Sequence, residues 1–354
     1  MPLRRLGVSS LRCLKKVELD LDPARNYFFG PNGAGKTSLL EAVFFLGRGR
    51  SFRTRQARTL VSYGDPELAV YGDVDDGVRV RRIGTSFRER RLERRADGAP
   101  ASGSAIAAIL PVQTIGPDSH RLIEGGPSER RRFLDWGVFH VEHSYLEAWQ
   151  RYRRVLGQRN AALLRPGEPA SELRVWTDAL AEAGEEVDRL RKAYVEQLRP
   201  MVSQHAEALL GQPFTLEYRP GWRADLRLGE ALDASTTRDR SLGHTEPGPH
   251  RADLLLQTEG RRIHDEASRG QQKLVAASMI LAQEGVLAAA SAARSVLLVD
   301  DPAAELDAAA FGRLLERLAT VRSQLLFTGL TPLTAGQNRP TAVFHVERGQ
   351  VHAL

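Results

Sequence analysis

A glycine-rich run near the N-terminus constrains this 354-residue chain more than any other feature. It lies between a short apolar segment and an apolar, helix-like one, and it comprises Gly30, Pro31, Asn32, Gly33, Ala34, Gly35, Lys36, Thr37 and Ser38. The spacing matches the phosphate-binding pattern G-x-x-x-x-G-K-S/T, in which glycines let backbone N–H groups turn towards an anionic phosphate chain. The helix that follows adds the positive end of its dipole. The run therefore predicts a nucleotide-binding loop between a strand and a helix.

Two residues of this loop have predicted roles towards the nucleotide. Lys36 would reach the β- and γ-phosphates, and Thr37 would hold the Mg²⁺ that accompanies ATP. A second candidate group follows the apolar segment Val296–Val299, which ends in Asp300 and Asp301. In a P-loop fold such a strand lies beside the first one, so Asp300 would also reach Mg²⁺. Asp301 would then orient the attacking water at the γ-phosphate.

Composition is that of an ordinary soluble protein. Hydrophobic residues make up 42% and charged residues 27% of the chain, and no window holds the roughly 18 apolar residues that a membrane span needs. The N-terminus lacks the apolar core of a secretory signal, and the single cysteine, Cys13, cannot form an intrachain disulfide. We therefore expect a cytoplasmic protein with no membrane partner.

Basic residues are concentrated in two segments, within a formal net charge of +6. The first segment follows the predicted helix and contains Arg48, Arg50, Arg53, Arg55 and Arg58. The second contains Arg79, Arg81, Arg82, Arg88, Arg90, Arg91, Arg94 and Arg95. Contacts with a nucleic-acid backbone are the natural use of such clusters, and we expect the first segment to bind DNA. Solvated arginine faces remain an alternative for each cluster.

Strand-like segments surround the loop and return near the C-terminus. The segments before the loop and after the helix that follows it are predicted to form strands, including an antiparallel pair joined at Asp75-Asp76-Gly77. Strand and helix then alternate between Ala252 and Phe327 in the order β-α-β-α-β. The pattern predicts an α/β nucleotide-binding lobe formed by residues 1–116 and 244–354.

The middle of the chain is predicted to be helical. From Pro127, aromatic and leucine residues recur every three to four positions, first to about Leu156 and then from Glu172 to Leu210. Pro200 is expected to kink or break the second helix. We therefore predict a mostly α-helical lobe, residues 117–243, inserted into the nucleotide-binding lobe.

A segment before the acidic strand identifies the kind of ATPase that the chain resembles. Ser268-Arg269-Gly270-Gln271 opens a predicted helix and is similar to the signature of ATP-binding cassette ATPases. The resemblance implies a mixed sheet with an antiparallel β subregion, and it implies a homodimer closed around two ATP molecules. Ser268, Gly270 and Gln271 would meet the nucleotide bound by the partner subunit. Gln113 matches the glutamine that couples the γ-phosphate and Mg²⁺ to the helical lobe.

Two departures from that family bear on turnover. Gly329 stands where the family usually has a histidine after the next strand, and Asp301 is shorter than the usual glutamate. Both changes would loosen the positioning of the attacking water, which carries most of the catalysis in phosphoryl transfer. We expect a weak, DNA-stimulated ATPase in which ATP acts as a switch.

Within the cassette ATPases the chain resembles the RecF family of bacterial recombination mediators. The resemblance rests on Leu122 to Asp135, on Gly248 to Leu254, and on an interval between loop and signature that is intermediate for the class. It implies a nucleoid-associated protein that binds gapped DNA and single-strand to double-strand junctions. Such a protein acts with RecR and RecO to help load RecA during DNA repair, recombination and replication restart.

Two other kinds of ATPase remain as alternatives. A transporter-type subunit would need a membrane partner, and the long insertion disfavours it. A nuclease-associated, chromosome-organising repair ATPase would need a long coiled-coil arm or a separate carboxylate-rich domain, and neither pattern is visible. Co-sedimentation with gapped DNA or with membranes would distinguish a DNA-binding ATPase from a transporter-type subunit. Incubation with labelled DNA would test for an associated nuclease.

Overall fold

The computed structural model describes residues 2–54, 56–165, 170–291, 294–332 and 340–354. The chain divides into two compact units. The first unit comprises Met1–His120, Ala208–Leu210 and Arg269–Leu354, and the second comprises Arg121–Glu207 and Gly211–Ser268.

The chain forms both strands and helices throughout its length. The strands are β1 (Leu3–Leu11), β2 (Leu14–Asp20), β3 (Arg25–Phe29), β4 (Glu67–Asp75), β5 (Val80–Arg88), β6 (Arg91–Ala96), β7 (Ala99–Pro100), β8 (Val112–Ile115), β9 (Thr215–Arg219), β10 (Asp253–Thr258), β11 (Arg261–Arg262), β12 (Val296–Val299), β13 (Gln324–Gly329), β14 (Ala342–Glu347) and β15 (Gln350–Ala353). The helices are α1 (Lys36–Arg48), α2 (Gly103–Ile109), α3 (Arg121–Glu124), α4 (Pro127–Val141), α5 (Tyr145–Leu163), α6 (Ala170–Leu210), α7 (Leu228–Leu242), α8 (Ile263–Glu266), α9 (Arg269–Ala290) and α10 (Ala308–Thr320).

A mixed sheet in the first unit carries the nucleotide loop. Its strand order is β15-β14-β3-β13-β12-β8, and β14, β3, β13, β12 and β8 run parallel. The acidic strand β12 does not lie directly beside the loop strand β3 as predicted, because β13 pairs with both and separates them. All four residues of β12 are buried, as expected for a strand covered on both faces. The carboxyl ends of parallel strands meet at one edge of a sheet, which is where such folds bind ligands. The predicted mixed α/β fold is confirmed.

An antiparallel sheet of order β2-β1-β4-β5-β6-β7 forms the rest of the first unit. The predicted hairpin is confirmed, because β4 and β5 pair antiparallel over their whole length and Gly77 takes the left-handed turn conformation at φ +86°. Helix α1 contacts strands of both sheets. Its buried face and the apolar faces of the two sheets form one continuous hydrophobic core.

The second unit is mostly helical and extends further along the chain than predicted. Residues 244–268 belong to it, although the prediction returned to the nucleotide-binding lobe after residue 243. The reason is that β10 pairs antiparallel with β9 and β11 in a separate three-stranded sheet. The first strand of the predicted β-α-β-α-β series is therefore not part of the parallel sheet. An apolar run such as Leu254–Leu256 does not reveal which sheet it joins.

Two helix predictions also need correction. The segment predicted as one helix from Pro127 forms α4 and α5, which are separated by a turn in which the Tyr145 N–H donates to the Glu142 carbonyl at 3.0 Å. Of the kink or break expected at Pro200, the break is wrong, because α6 continues through the proline to Leu210. Buried residues precede and follow the proline, so packing of the apolar face compensates for the missing backbone hydrogen bond.

Helix α9 lies at the core of the first unit. By length and composition it is one helix in the described residues that could cross a membrane, which corrects the expectation that no segment has this character. However, 78% of its apolar window is buried inside the protein. Such burial is typical of a core helix.

Gly329, the last residue of β13, lies under the ring of Tyr27. A Cβ atom at position 329 would be 2.0 Å from Tyr27 Oη and 2.9 Å from Cζ. Tyr27 is buried, packs against Phe327 with ring centroids 4.7 Å apart, and donates from its hydroxyl to the Thr331 carbonyl at 2.6 Å. The phenol thus fills the space that any side chain at 329 would need.

Gly329→Ala should therefore lower the free energy of unfolding by about 1–3 kcal/mol, the usual cost of overpacking a core. Denaturant unfolding measures it. Gly312→Ala in α10 is the matched control, since an added Cβ there meets nothing within 4 Å and alanine favours helix. Equal stabilities for the two variants would contradict this account of Tyr27.

Candidate functional site

The glycine-rich loop joins β3 to α1 in a conformation that needs its glycines. Gly30 has φ +157°, and a Cβ there would be 2.1 Å from the Val346 carbonyl oxygen. Gly35 has φ +115° and directly precedes the first residue of α1. These positions let the backbone turn closely in front of the helix N-terminus, as the sequence pattern predicts.

Lys36 folds back over this loop. Its ammonium donates to the carbonyl oxygens of Gly30 at 2.6 Å and Pro31 at 2.9 Å, and the residue is buried. Burial lowers the pKa of Lys36, while Asp301 and Asp300 act in the opposite direction. The positive charge is therefore held inside the loop and close to both carboxylates.

Asp300 is the point at which three chain segments meet. It is 3% exposed, and its Oδ1 accepts hydrogen bonds from the hydroxyls of Thr37 and Thr328, each at 3.0 Å. Burial raises the pKa of Asp300, and these two donors oppose that rise. Thr37 is 263 residues away in the chain, so the structure unites the two predicted halves of the site.

Thr328 belongs to this cluster although the sequence analysis did not single it out. Its hydroxyl also accepts a hydrogen bond from the Asp301 N–H at 2.9 Å, so it fixes both acidic residues. The sequence signal that could have identified Thr328 is its position near the carboxyl end of a predicted strand, because polar side chains of neighbouring parallel strands meet there.

Asp301 begins a turn beyond the strand end. It has φ +44°, a strained conformation for a residue other than glycine. Its carboxylate affects three neighbouring groups. Together with burial it raises the pKa of Tyr27, and it opposes the lowering that burial causes in the pKa values of Lys36 and Lys273. Asp301 is thus electrostatically coupled to Tyr27 and to two lysines.

Gln113 is not brought to this site, which corrects its predicted role. It is the second residue of β8, where it pairs in register with Leu297, three positions before Asp300. Side chains alternate along a strand, so Gln113 lies on the opposite face of the sheet from Asp300 and about 10 Å back along it. There its amide donates to Gln283 of α9 at 2.5 Å. The residue level with Asp300 is Gly116.

The signature-like residues surround the start of α9. Ser268 is the last residue of the second unit, and Gly270 and Gln271 are in the first turn of the helix. Ser268 and Gln271 are exposed, and Gly270 lies against the acidic turn, because a Cβ there would be 3.0 Å from the Glu305 carbonyl oxygen. The helix start is accessible to a second molecule.

The described arginines of the first basic segment differ in their exposure. Arg50, Arg53 and Arg58 are exposed, whereas Arg48 is half-buried with its guanidinium 5.6 Å from the Phe44 ring centroid. Arg55 lies outside the described residues. Arg53 is close enough to Asp300 to lower the pKa of that carboxyl, though burial dominates and raises it. Arg53 therefore lies near the carboxylate site.

The arginines of the second basic segment lie among nearly as many acidic residues. Residues 67–97 contain eight arginines and seven carboxylates. Arg82 pairs with Asp73 at 2.8 Å, and Arg81 pairs with Asp97 at 3.0 Å. This surface has little excess charge to attract a polyanion.

In the second unit, the two family-specific segments pack on each other. Arg130 pairs with Asp253 at 2.7 Å, and Arg131 donates to the Ala252 carbonyl. The two arginines belong to the segment 122–135 and their partners to the segment 248–254.

His250 bonds the Tyr152 hydroxyl through Nδ1 at 2.6 Å and the Thr245 carbonyl through Nε2 at 3.0 Å. Burial lowers the pKa of His250 to about 4, so it is neutral at physiological pH. Both ring nitrogens of His250 are thus engaged within the second unit.

Comparison with known proteins agrees with this geometry. Residues 2–352 match the RecF/RecN/SMC N-terminal domain family. The DNA replication and repair protein RecF of Stutzerimonas stutzeri is 41% identical, covering 100% of this chain and 98% of its own. RecF of Azotobacter vinelandii is 42% identical, covering 99% of this chain and 98% of its own.

Solved structures show the same relationship. A structure of the recombination mediator protein RecF with ATP, in the RecFOR pathway, superposes with a TM-score of 0.87 and 25% identity, covering 100% of this chain and 97% of that one. An Smc head bound to the C-terminal winged-helix domain of ScpA has the same fold, with a TM-score of 0.61, 16% identity, and coverage of 100% and 98%. With the loop, the acidic strand and both family-specific segments in place, this chain belongs to the RecF family.

Proposed function

We propose that the protein is an ATP-dependent DNA-binding recombination mediator. Its homodimer closes around two ATP molecules, binds gapped duplexes and single-strand to double-strand junctions in the cytoplasm, and helps to load RecA with RecR and RecO. Family membership supports the proposal, as does the relative that was solved with ATP and named as a recombination mediator in the RecFOR pathway. The hydrogen bond between Thr37 and Asp300 is the observation that carries it, because it joins a phosphate-binding loop to a buried carboxylate.

The residues present fit Mg²⁺ with ATP. A threonine hydroxyl and an aspartate oxygen converge at 3.0 Å, and both are the hard oxygen ligands that Mg²⁺ prefers. In P-loop ATPases the protein supplies few ligands and the phosphates supply others. When bound, the ion would neutralise charge on the phosphates. Thr37 and Asp300 would hold it, with Thr328 keeping Asp300 oriented.

The nucleotide contacts divide between two subunits. Lys36 would pair with the β- and γ-phosphates of its own subunit's ATP, leaving the carbonyl oxygens of Gly30 and Pro31. The exposed start of α9 would present Ser268, Gly270 and Gln271 to the γ-phosphate of the partner's ATP. Each site is then incomplete in a monomer, and ATP links the two copies.

Slow turnover follows from the water-positioning groups. Asp301 is short, and at position 329 the phenol of Tyr27 leaves no room for a side chain that could contact the γ-phosphate. Few groups would therefore restrain the attacking water, so hydrolysis would be slow relative to dimerisation. ATP would serve as a switch between closed and open dimers.

Analytical ultracentrifugation tests the composite site directly. The protein should sediment as a dimer with ATP and Mg²⁺ and as a monomer with ADP, since ADP lacks the phosphate that bridges the subunits. Lys36→Met should remain monomeric in ATP because it removes the charge that the phosphates need. A wild-type protein that stays monomeric with saturating ATP would refute the proposed function.

DNA binding would use the excess positive charge of the first basic segment. Its five arginines have no carboxylate among them between residues 48 and 58. Arg58 is exposed and lies in the short 3₁₀ turn Ala57–Leu60. Contacts from such side chains to phosphates carry no base information, so binding would be salt-sensitive and largely independent of sequence.

Arg58→Glu should weaken DNA binding and leave ATP-driven dimerisation intact. The slope of log affinity against log salt should fall by about one for each phosphate that the arginine no longer neutralises, which titrations with gapped DNA measure. Arg223→Glu is the matched control, because Arg223 is an exposed arginine of the second unit that already pairs with Asp225 at 2.6 Å. Unchanged affinity of Arg58→Glu at moderate salt would remove this segment from the DNA surface.

A further inference from the structure

Lys273 is a buried cation that the proposed chemistry does not use. It lies one turn after the start of α9 and is 1% exposed. Its ammonium donates to the carbonyl oxygen of Ala304 at 2.5 Å. Ala304 belongs to the acidic turn, residues 301–307, that begins at the water-orienting Asp301 and ends at the N-cap of α10.

The acidic turn is strained and has few bonds of its own. Asp301 and Glu305 both have left-handed backbone conformations, at φ +44° and +68°. Within the turn, the Ala304 N–H donates to the Asp301 carbonyl at 3.1 Å and the Leu306 N–H donates to the Ala303 carbonyl at 3.4 Å. Strained residues persist only where the surroundings hold them in place.

Helix α9 supplies that support at two points. The backbone at Gly270 approaches the Glu305 carbonyl so closely that a Cβ would lie 3.0 Å from it, and Lys273 bonds Ala304 one turn further along. The first turn of α9 is also the part of the helix offered to a second subunit. One helix therefore touches both the acidic turn of its own subunit and the nucleotide proposed for the partner.

Stability alone does not explain a lysine at this position. Burying an ammonium is costly unless hydrogen bonds and opposite charges compensate for the loss of hydration. Burial lowers the pKa of Lys273, and Glu305, Asp301 and Asp300 oppose this. An apolar side chain of similar length would fill the same space without that cost, so the ammonium is best explained by what it holds.

We propose that Lys273 is a positioning residue that fixes the acidic turn to the first turns of α9, so that engagement of the helix start by a second subunit is transmitted to Asp301. The inference rests on the proposed function for its consequence in hydrolysis. The positioning itself is a property of the single chain and can be measured without nucleotide.

Lys273→Met tests the positioning first without nucleotide. Amide hydrogen exchange in residues 301–307 should become at least about tenfold faster, because the turn is no longer bonded to α9. The free energy of unfolding should be unchanged or higher, since a buried charge is replaced by an apolar group of similar length. Unchanged exchange in the turn would overturn the proposal, and so would a loss of global stability that accounts for the faster exchange.

Single-turnover ATP hydrolysis provides the second readout. Lys273→Met should still dimerise with ATP, but it should hydrolyse it about tenfold to a hundredfold more slowly, as expected when a reacting group is misplaced by about 1 Å. Lys192→Met is the matched control, because Lys192 is an exposed lysine in α6 paired with Asp188 at 2.7 Å. A wild-type rate in Lys273→Met would overturn the transmission to Asp301. A wild-type protein that neither dimerises nor hydrolyses ATP would instead refute the proposed function and leave the exchange test to decide.

Discussion

The hydrogen bond from Thr37 to Asp300 is the interaction on which the site depends. It joins the end of the glycine-rich loop to the end of β12, across 263 residues of chain. Asp300 is buried, and a buried carboxylate is costly unless donors surround it. Thr37 and Thr328 supply those donors from the two neighbouring segments. The requirement to satisfy one carboxylate thus keeps the loop, the acidic strand and β13 aligned.

The topology of the mixed sheet makes this convergence possible. Because β3, β13, β12 and β8 run parallel, their carboxyl ends lie at one edge, where the loop, Asp300 and Thr328 meet. The core on one face, around α1, holds the loop in place, while α9 on the other face supports the acidic turn through Lys273. The same helix begins with the residues proposed to engage a second subunit. Under the proposed function, this arrangement would let a slow ATPase report the state of its dimer.

Features set by local backbone chemistry could be predicted from the sequence. The loop from Gly30 to Thr37 needs glycines at fixed positions, and its predicted place between a strand and a helix is confirmed. The apolar run before Asp300 is the predicted buried strand. Features set by register and tertiary packing could not. Gln113 pairs with Leu297, which is three residues before Asp300, so the side chains of Gln113 and Asp300 lie on opposite faces of the sheet. Only the pairing of β8 with β12 reveals this register. Likewise, Pro200 stays helical because of the packing on either side of it. Arg53 lies close to Asp300, although the sequence showed it only as one member of a basic cluster.

Mixing two inactive variants tests the central claim most directly, namely that each nucleotide site is built from two copies of the chain. Lys36→Ala removes the loop cation from one subunit, and Ser268→Arg blocks the helix start of the other. Neither variant alone should hydrolyse ATP in a single-turnover assay. A mixed dimer retains one complete site, made from the intact loop of one subunit and the intact helix start of the other. The account predicts that mixing restores hydrolysis above that of either variant alone, and mixtures no more active than the separate variants would contradict it.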